Sequence, residues 1–428
     1  MLRKFIYRVG CLIRNPSIDK CYEALKESEF YSSEELHDLQ QRKLTILLKF
    51  CYQHSAYYRK SFDKVGFNPL LEPINLDVLS KIPILSKDDL IKFNSEIHTT
   101  NSFKFKKKFF SETSGSTGQA LTFYKDEVWD SYNRSSINRG LSWFSISPWD
   151  RNGYFWGFNF VFLHRLKTKL FDFLLCRFRL FSYSDNDLDK FLNKCKRARY
   201  LEGYSSMIYE VAKLANKKGV NLTNIKLIKG TSEKIYPHYS SETLKAFGQK
   251  IISEYGSAES GIIAFECPEG NMHLNEETCI VECIDGKAIV TNLVAMSFPT
   301  IRYDLGDYIE LSDIECDCGR KHKVLKEVTG RVGKNIIGFN NKYPSLTLYY
   351  IFKNIALSSG LELTYRCEQS TIGFLTVYLE VEVTERLISL LDSEFGKYFK
   401  DDIKCEYVEK ATVRVKGRKL KDFESFID

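Results

Sequence analysis

Short apolar stretches alternate with segments of helical pattern between residues 108 and 310, and this alternation limits the possible folds more than any other feature of the sequence. Residues 204–218 have the apolar spacing of a helix, and an apolar strand follows at 225–228. The next helix ends at Phe247, and the next strand covers 251–254. Strands that alternate with helices form βαβ units and mostly parallel sheet. The sequence therefore predicts an α/β fold with mixed or mostly parallel sheets.

The segments on either side of this region have different patterns. Residues 1–100 show helical spacing broken by prolines, which predicts a helical amino-terminal segment. After residue 330 the pattern becomes typical of a small α+β domain. Its predicted elements are helices at 346–357 and 385–398 and strands at 373–383 and 403–407. We therefore predict a large domain over residues 1–329 and a small, mobile domain over residues 330–428.

Composition and charge exclude several classes of protein. The chain has 428 residues, of which 43% are hydrophobic, but no apolar run approaches the roughly 18 residues that span a bilayer. Residues 1–15 lack the apolar core and cleavage site of a signal peptide, so a cytoplasmic protein is expected. The net charge of +7 is concentrated at 104–108 and 165–179. These basic stretches predict either a solvated face or peripheral contact with the inner face of a membrane, and no nucleic-acid-binding motif accompanies them.

Residues 113–118 have the sequence Thr-Ser-Gly-Ser-Thr-Gly and follow the apolar pair Phe109 and Phe110. Glycines allow the backbone to turn its amide groups toward an anion, and the hydroxyl groups add hydrogen-bond donors. The stretch lacks the Gly-Lys-Ser/Thr ending of a Walker loop. By itself it is equally consistent with a phosphate-binding loop and with a surface turn of the same composition.

Three further stretches carry charged side chains suited to binding ATP and a carboxylate. Glu259 ends the sequence Tyr-Gly-Ser-Ala-Glu directly after the strand that begins at Ile251, where a carboxylate can hold Mg²⁺ against phosphate oxygens. In the stretch 302–307, one aspartate could accept hydrogen bonds from both hydroxyls of a ribose. The basic stretch 414–419 could supply a mobile cation at a transition state. Taken singly, each has a simpler interpretation as a turn or a solvated surface.

In identity and order along the chain, these stretches resemble those of the adenylate-forming superfamily, specifically its phenylacetate-CoA ligase and CapK-like branch. The resemblance extends over nearly the whole chain and includes four further stretches. These are Ile-Pro-Ile-Leu-Ser-Lys at 82–87, Glu-Gly-Tyr-Ser-Ser at 202–206, Gly-Thr-Ser-Glu at 230–233 and Thr-Gly-Arg at 329–331. It implies a large AMP-binding domain that carries a small, rotating domain.

The resemblance also implies roles for individual residues. Lys419 would contact the substrate carboxylate and the α-phosphate, Glu259 would hold Mg²⁺, and Arg331 would lie beside the interdomain hinge. The implied ATP-binding residues are Thr113, Ser114, Gly115, Ser116, Thr117 and Gly118 at the phosphates, Gly230, Thr231, Ser232, Glu233, Tyr255 and Gly256 with the adjoining Ser257 at adenine, and Asp307 at the ribose.

Three positions depart from the pattern of the resembled family. Arg418 stands where a second glycine is common, so the functional cation could instead be Lys416 or Lys421. The pair Gln119-Ala120 replaces a Lys-Pro or similar pair after the phosphate loop, which weakens the expectation of a strong CoA ligase. Gly333 replaces a common hinge aspartate but still permits rotation.

Cys267, His273, Cys316 and Cys318 predict a metal site. The chain has 12 cysteines and no secretory signal, which favours free thiols with one metal cluster over a disulfide framework. Three thiolates and one imidazole suit a tetrahedral structural Zn²⁺, and members of the resembled branch can carry such an ion. Two alternatives stay open at this point: His322 replaces His273 as the ligand, or the cysteines are reduced residues in loops.

The predicted function is ATP-dependent adenylation of a carboxylic acid, which gives acyl-AMP and pyrophosphate, followed by transfer of the acyl group. CoA is the acceptor that the family implies, and an amine or hydroxyl group in surface polysaccharide synthesis is the alternative. Two other functions are considered: adenylyl transfer to a hydroxyl group, and a non-catalytic scaffold in glycan assembly. The acid is expected to bind in the aromatic-rich region 143–162, with Tyr154, Trp156, Phe158 and Ser205, although core packing is the simpler explanation for each aromatic residue taken singly.

Overall fold

The chain forms two compact units in a computed structural model. One unit contains Met1–Ser111 and Phe123–Arg331, and the other contains Glu112–Thr122 and Val332–Asp428. The residues that the structure describes are 2–113, 121–155, 162–180, 185–232, 235, 237–329, 335–361, 363–411, 413 and 423–427.

The amino-terminal part of the larger unit is helical, as the sequence predicts. Serine caps define the starts of three of its helices: the hydroxyls of Ser32, Ser55 and Ser86 accept from Glu35 N at 3.2 Å, Tyr58 N at 3.4 Å and Asp89 N at 3.1 Å. The helices are α1 (Leu2–Arg14), α2 (Ile18–Glu27), α3 (Ser33–His54), α4 (Ala56–Lys64), α5 (Lys87–Lys92) and α6 (Asn94–Ile97), with short 3-10 turns at Ser28–Phe30 and Leu76–Lys81.

Between residues 108 and 331 the chain forms two sheets and five more helices, which belong to the larger unit except for residues 112–122. The two-stranded sheet consists of β1 (Lys108–Glu112) and β2 (Thr122–Asp126). The helices are α7 (Glu127–Trp143), α8 (Phe162–Leu174), α9 (Asp185–Cys195), α10 (Ser205–Lys217) and α11 (Pro237–Phe247). The strands of the large sheet are β3 (Asn152–Phe155), β4 (Arg177–Arg179), β5 (Tyr200–Tyr204), β6 (Leu227–Thr231), β7 (Ile251–Ser257), β8 (Gly261–Glu266), β9 (Met272–Leu274), β10 (Cys279–Ile284), β11 (Lys287–Asn292), β12 (Tyr303–Ser312) and β13 (Val324–Thr329).

The large sheet is mixed, and its strand order is β10-β11-β12-β13-β9-β8-β7-β6-β5-β3-β4. The pairs from β4 to β7 are parallel, as the βαβ pattern predicts, and every residue of β5 is buried, which is typical of a strand covered on both faces. From β7 onward the pairs are antiparallel. The expectation of a mostly parallel sheet therefore holds only for the first half, and the mixed alternative is confirmed.

The smaller unit is an α+β unit, as predicted. Its elements are α12 (Leu346–Ser359) and α13 (Glu385–Phe399) with strands β14 (Asn335–Ile337), β15 (Lys342–Pro344), β16 (Tyr365–Thr371), β17 (Phe374–Leu379), β18 (Lys404–Glu409) and β19 (Phe423–Ser425). A four-stranded sheet has the order β18-β17-β16-β19. The single strand predicted at 373–383 is therefore the second half of the β16–β17 hairpin, which turns at Gly373 with φ +75°.

Among the described helices, none combines the length and apolarity needed to cross a bilayer.

Candidate functional site

The carboxyl ends of β6 and β7 bring two of the predicted stretches together. Thr231 at the end of β6 pairs with Glu254 of β7, so residues 230–232 lie beside Tyr255. A side chain at Gly230 would collide with the Ser205 hydroxyl, so only glycine fits where α10 begins. Ser232 follows with φ +66°, a left-handed conformation that turns the chain away from the sheet. In parallel sheets, small ligands bind at this edge.

Glu259 lies in the tight turn of the β7–β8 hairpin. Ser257 pairs with Gly261 across the turn, and the Ser257 hydroxyl accepts a hydrogen bond from Ser260 N at 2.9 Å. The Glu259 side chain is buried, and its Oε1 accepts a hydrogen bond from the Tyr303 hydroxyl at 2.8 Å. Among the described residues, none donates a hydrogen bond to Oε2. The turn thus holds a carboxylate in a fixed orientation with one oxygen available to a cation.

Gly256 is required for the close approach of the two hairpin strands. A Cβ at this position would collide with the carbonyl oxygen of Gly261 and would lie 3.1 Å from the Cα of Ile262. Gly256 itself is exposed, and its neighbours Tyr255 and Ser257 are half-buried. A planar ligand can therefore approach the main chain of residues 255–257 without meeting a side chain at Gly256.

Asp307 faces the same site from β12. Its Oδ2 accepts a hydrogen bond from the Tyr255 hydroxyl at 3.0 Å. Strands β8, β9 and β13 separate β7 from β12 in the sheet order, which would put the two strands about 19 Å apart in a flat sheet. The hydrogen bond shows that the sheet curls strongly here. Asp304 has a different role, because its Oδ1 accepts from Gly306 N at 2.7 Å within the strand.

Lys125 of β2 is a residue that the sequence analysis missed. Its ammonium group lies 5.3 Å from the centre of the Trp129 ring and 5.9 Å from that of Phe123. Among the described residues, none forms a hydrogen bond or an ion pair with it. Burial lowers the pKa of Lys125, although the negative charges of Asp130 and Glu259 oppose this shift. A half-buried lysine in the field of Glu259 and without its own counterion is suited to bind an anion.

Buried side chains of alternating charge form a row of ion pairs across the neighbouring strands of the large sheet, close to the carboxyl ends of β6 and β7. Lys229 of β6 lies between Glu254 of β7, at 2.6 Å, and Glu202 of β5, at 3.3 Å. Glu202 also pairs with Arg177 of β4 at 3.2 Å. The pKa of Lys229 is raised: burial opposes its charge, but Glu254 and Glu202 outweigh that effect. These pairs fix the relative positions of the strands that carry the site.

Several predicted site residues lie outside the described part of the chain. Only the base of the predicted phosphate loop is described: Thr113 N donates to Leu121 O at 2.9 Å, and Leu121 N donates to the Thr113 hydroxyl at 3.2 Å. The predicted site residues outside the described ranges are Ser114, Gly115, Ser116, Thr117, Gly118, Glu233, Arg331 and Lys419, with the alternative cations Lys416 and Lys421.

The aromatic region predicted to bind the acid is only partly described. Trp143 lies 5.6 Å from Phe265 by ring centres, and the Arg320 guanidinium lies 4.1 Å from its ring, so Trp143 is a packing residue. The ring of Tyr154 is covered by the guanidinium of Arg177 at 3.9 Å. Trp143 therefore packs against the core, Tyr154 is half-buried beneath Arg177, and Trp156 and Phe158 lie outside the described residues.

The four residues predicted to hold a metal come together in the larger unit. Cys267 follows β8, His273 lies on β9, and Cys316 and Cys318 lie between β12 and β13. Their ligand atoms are all within 4.8 Å of one another. Cys267 Sγ is 3.7 Å from Cys316 Sγ, and His273 Nε2 is 3.2 Å from Cys318 Sγ. Three sulfurs and one nitrogen at this spacing suit a tetrahedral ion.

The protonation chemistry of the cluster is also compatible with metal binding. His273 Nδ1 donates to the backbone oxygen of His322 at 3.1 Å, so the lone pair of Nε2 faces the sulfurs. Burial lowers the pKa of His273 to about 4, which keeps its ring neutral and able to act as a ligand. The His322 ring instead contacts Glu277 at 2.9 Å. The structure therefore favours His273 over His322 as the ligand.

Buried ion pairs connect this cluster to the amino-terminal helices. Glu277 binds Arg139 at 2.5 Å and His322 at 2.9 Å, and it accepts from the Ser28 hydroxyl at 2.8 Å. Burial alone would raise the pKa of Glu277, but the positive charges of Arg139 and His322 hold it well below its usual value. Arg320 pairs with Glu29 in the same region. The cluster thus lies where a bound ion would fix a loop against the amino-terminal segment.

Comparisons with known proteins identify relatives for this architecture. No protein-family model matches the chain. The chain is 24% identical over 361 residues to the protein CapK of Staphylococcus aureus, which covers 79% of this chain and 75% of CapK. Its fold is similar to 2-hydroxyisobutyryl-CoA ligase in complex with 2-HIB-AMP and CoA in the thioesterification state, with TM-score 0.63, 16% identity and coverage of 94% of this chain and 92% of that one.

The open conformation of the same ligase, also with 2-HIB-AMP and CoA, matches with TM-score 0.59, 15% identity and coverage of 93% of each chain. At such identities the match establishes the fold, and CapK supplies the independent likeness in sequence. The chain therefore has the fold of 2-hydroxyisobutyryl-CoA ligase and is similar in sequence to CapK.

Proposed function

We propose that this protein uses ATP to activate a carboxylic acid as an acyl-adenylate and releases pyrophosphate. The observation that carries the proposal is the convergence at one edge of the large sheet. Residues 230–232 lie beside Tyr255, Tyr255 is bonded to Asp307, and Glu259 follows in the adjoining turn. In a fold shared with a ligase that binds 2-HIB-AMP, this edge supports an adenylate site.

The residues have complementary tasks in the proposed reaction, in which a carboxylate oxygen attacks the α-phosphorus in line with the departing pyrophosphate. Residues 230–233 and 255–257 would enclose adenine, and Asp307 would accept hydrogen bonds from the ribose. Mg²⁺ held by Glu259 would neutralise phosphate charge. The phosphate loop, residues 113–118, would add amide and hydroxyl donors, and Lys419 would orient the two anions with Arg331 beside the hinge.

Lys125 would supply the positive charge that the phosphate loop lacks. The loop ends in Gln119-Ala120, whereas the resembled family commonly has a lysine there. Lys125 lies on β2, the strand that follows the loop. The negative charge of Glu259 acts on its ammonium group, which has no counterion among the described residues. Bound phosphates would give this ammonium group its counterion.

The acceptor of the acyl group is proposed to be CoA, in line with the CoA complexes of the ligase that shares the fold. An amine or hydroxyl group in surface polysaccharide synthesis is the alternative, which rests on the likeness to CapK. Cytoplasmic location and peripheral association with the inner face of a membrane are part of the proposal. We also propose that Cys267, His273, Cys316 and Cys318 bind a structural Zn²⁺, because the donor set is complete and the site lies away from the strand ends.

Exchange of labelled pyrophosphate into ATP tests the adenylation step. The wild type is expected to catalyse exchange that depends on one class among aromatic acids, amino acids and sugar acids, and Lys419→Ala is expected to lose about 100-fold or more of the rate. Exchange without any acid, or equal exchange in Lys419→Ala, would contradict these roles. Binding of ATP without exchange would favour adenylyl transfer to a hydroxyl group, and absence of ATP binding would favour a scaffold.

Replacing Asp307 with alanine is expected to raise the KM for ATP by about 10- to 100-fold, because charge-assisted hydrogen bonds to the ribose are lost. Tyr255→Phe removes the hydroxyl group that bonds Asp307 Oδ2 and should raise KM by less than tenfold. Replacement of Asp304, whose Oδ1 bonds Gly306 N, serves as the comparison. If Asp304→Ala raises the KM for ATP as much as Asp307→Ala does, Asp307 has no special role at the ribose.

A further inference from the structure

Helix α1 exposes a continuous apolar stripe. Leu2, Phe5, Leu12 and Ile13 are 63–71% exposed, and Val9 is also exposed. At about 100° of rotation per residue, these five positions fall within an arc of roughly 100° on the helix. Side chains of this kind usually lie against another element, but no residue of α1 is buried. The stripe therefore offers an apolar surface to something other than the described part of the chain.

The opposite side of α1 fixes the helix to the larger unit. The Tyr7 hydroxyl accepts a hydrogen bond from Asn138 Nδ2 at 3.1 Å, and the Tyr7 ring lies 5.7 Å from that of Trp149 by ring centres. The Lys4 ammonium group lies 5.3 Å from the centre of the Trp149 ring. The apolar stripe thus points away from a helix that is already docked.

Helix α8 packs beside α1 and adds further apolar side chains. Leu170, Phe171, Phe173 and Leu174 are all exposed. Asp172 is the sole acidic residue in the sequence of α8, and its carboxylate pairs inward with Arg179 at 3.0 Å. Its charge is therefore compensated and does not oppose an anionic surface.

Basic residues surround this apolar area. Helix α1 contains Arg3, Lys4, Arg8 and Arg14 and no acidic residue. Lysines of the stretch 104–108 lie at its carboxyl end, since Lys107 Nζ donates to Ile13 O and the Arg14 guanidinium lies 4.2 Å from the centre of the Phe109 ring. A helix with apolar residues on one arc and only basic charges elsewhere has the pattern of helices that lie in a membrane interface.

We propose that the α1–α8 surface, formed by the exposed apolar residues of these two helices and the basic residues of α1 and 104–108, binds the surface of an anionic lipid bilayer. Helix α1 would lie in the plane of the interface, with Phe5 and Leu12 among the acyl chains and the exposed Arg3 and Arg8 at the headgroups. A second copy of this chain fits less well, because it would bring the same positive charges together. This inference rests on the membrane association proposed above, for which it names the surface and the lipid class, and it is independent of the proposed adenylation.

Co-sedimentation with vesicles tests the surface. The wild type is expected to bind vesicles of phosphatidylcholine and phosphatidylglycerol, to bind pure phosphatidylcholine weakly, and to dissociate as salt is raised. The double variant Phe5→Glu, Leu12→Glu is expected to lose about 100-fold or more in vesicle affinity, because two apolar anchors become acidic. Leu71→Glu is the matched control, since Leu71 is 82% exposed and lies outside the surface.

The double variant should keep the thermal unfolding temperature of the wild type, because both residues are exposed. Equal binding of wild type and double variant, or equal loss in Leu71→Glu, would overturn the proposal. So would a wild type that ignores anionic vesicles but forms a dimer in gel filtration that the double variant lacks, since the surface would then join two copies of the chain.

Discussion

Glu259→Gln is expected to lower acid-dependent ATP/pyrophosphate exchange by about 100-fold or more, because the amide cannot neutralise a divalent cation. Glutamine keeps the shape of the side chain and can still accept the hydrogen bond from Tyr303, which measures 2.8 Å to Oε1 in the wild type. The variant should therefore fold normally and show a higher Mg²⁺ requirement. The exchange rate measured as a function of Mg²⁺ concentration checks both parts of this expectation.

Two further variants show whether the effect comes from the carboxylate itself. Tyr303→Phe removes the hydroxyl group that orients Glu259 and should reduce exchange only about tenfold. Glu210→Gln removes a surface carboxylate that pairs with Lys213 at 3.2 Å, and it should leave exchange unchanged. If Glu259→Gln exchanges at the wild-type rate with the same Mg²⁺ dependence, Glu259 does not hold the metal.

The position of Glu259 was predictable because a strand and a turn are both local features. The strand beginning at Ile251 and the following Tyr-Gly-Ser-Ala-Glu stretch give the hairpin turn directly. The partners of the site were not predictable in this way. Tyr255 and Asp307 are 52 residues apart, and Glu259 and Tyr303 are 44 apart. Both contacts depend on the curl of the sheet, which the apolar pattern does not encode.

The same distinction explains which details of the fold the sequence analysis did not predict. The antiparallel half of the large sheet carried a local signal in Asp285-Gly286, a two-residue turn with φ +51° and +76° that joins β10 to β11. Strand β16 lacks a clear apolar alternation, because its buried Gln369 is polar. The Gln369 amide instead donates to Ile337 O at 2.7 Å, so the buried side chain is satisfied. Lys125 was missed because a single lysine in a short strand has no distinguishing pattern.

Replacing Cys316 with serine is expected to abolish stoichiometric zinc binding and to lower the unfolding temperature by roughly 5–15 °C. Cys316 Sγ lies 3.7 Å from Cys267 Sγ, and Asn271 Nδ2 donates to it at 3.1 Å. Burial would raise the pKa of Cys316, but hydrogen bonds from Cys318 N and Asn271 outweigh it and lower the pKa. The site thus favours a thiolate at this position. Elemental analysis and thermal unfolding, with and without a chelator, measure the two effects.

Cys283→Ser is the matched control, because Cys283 is an exposed thiol outside the cluster. It should keep one zinc per chain and respond to the chelator as the wild type does. If the ion is structural, Cys316→Ser should lower the stability of the protein more than it affects the adenylation reaction. Cys316→Ser assayed well below its own unfolding temperature should therefore retain the Mg²⁺ dependence and the ATP KM of the wild type. A wild type that is purified without zinc and is unaffected by a chelator would instead show that the cluster consists of reduced thiols. A changed KM for ATP in a folded Cys316→Ser variant would show that the ion contributes to the adenylate site and is not purely structural.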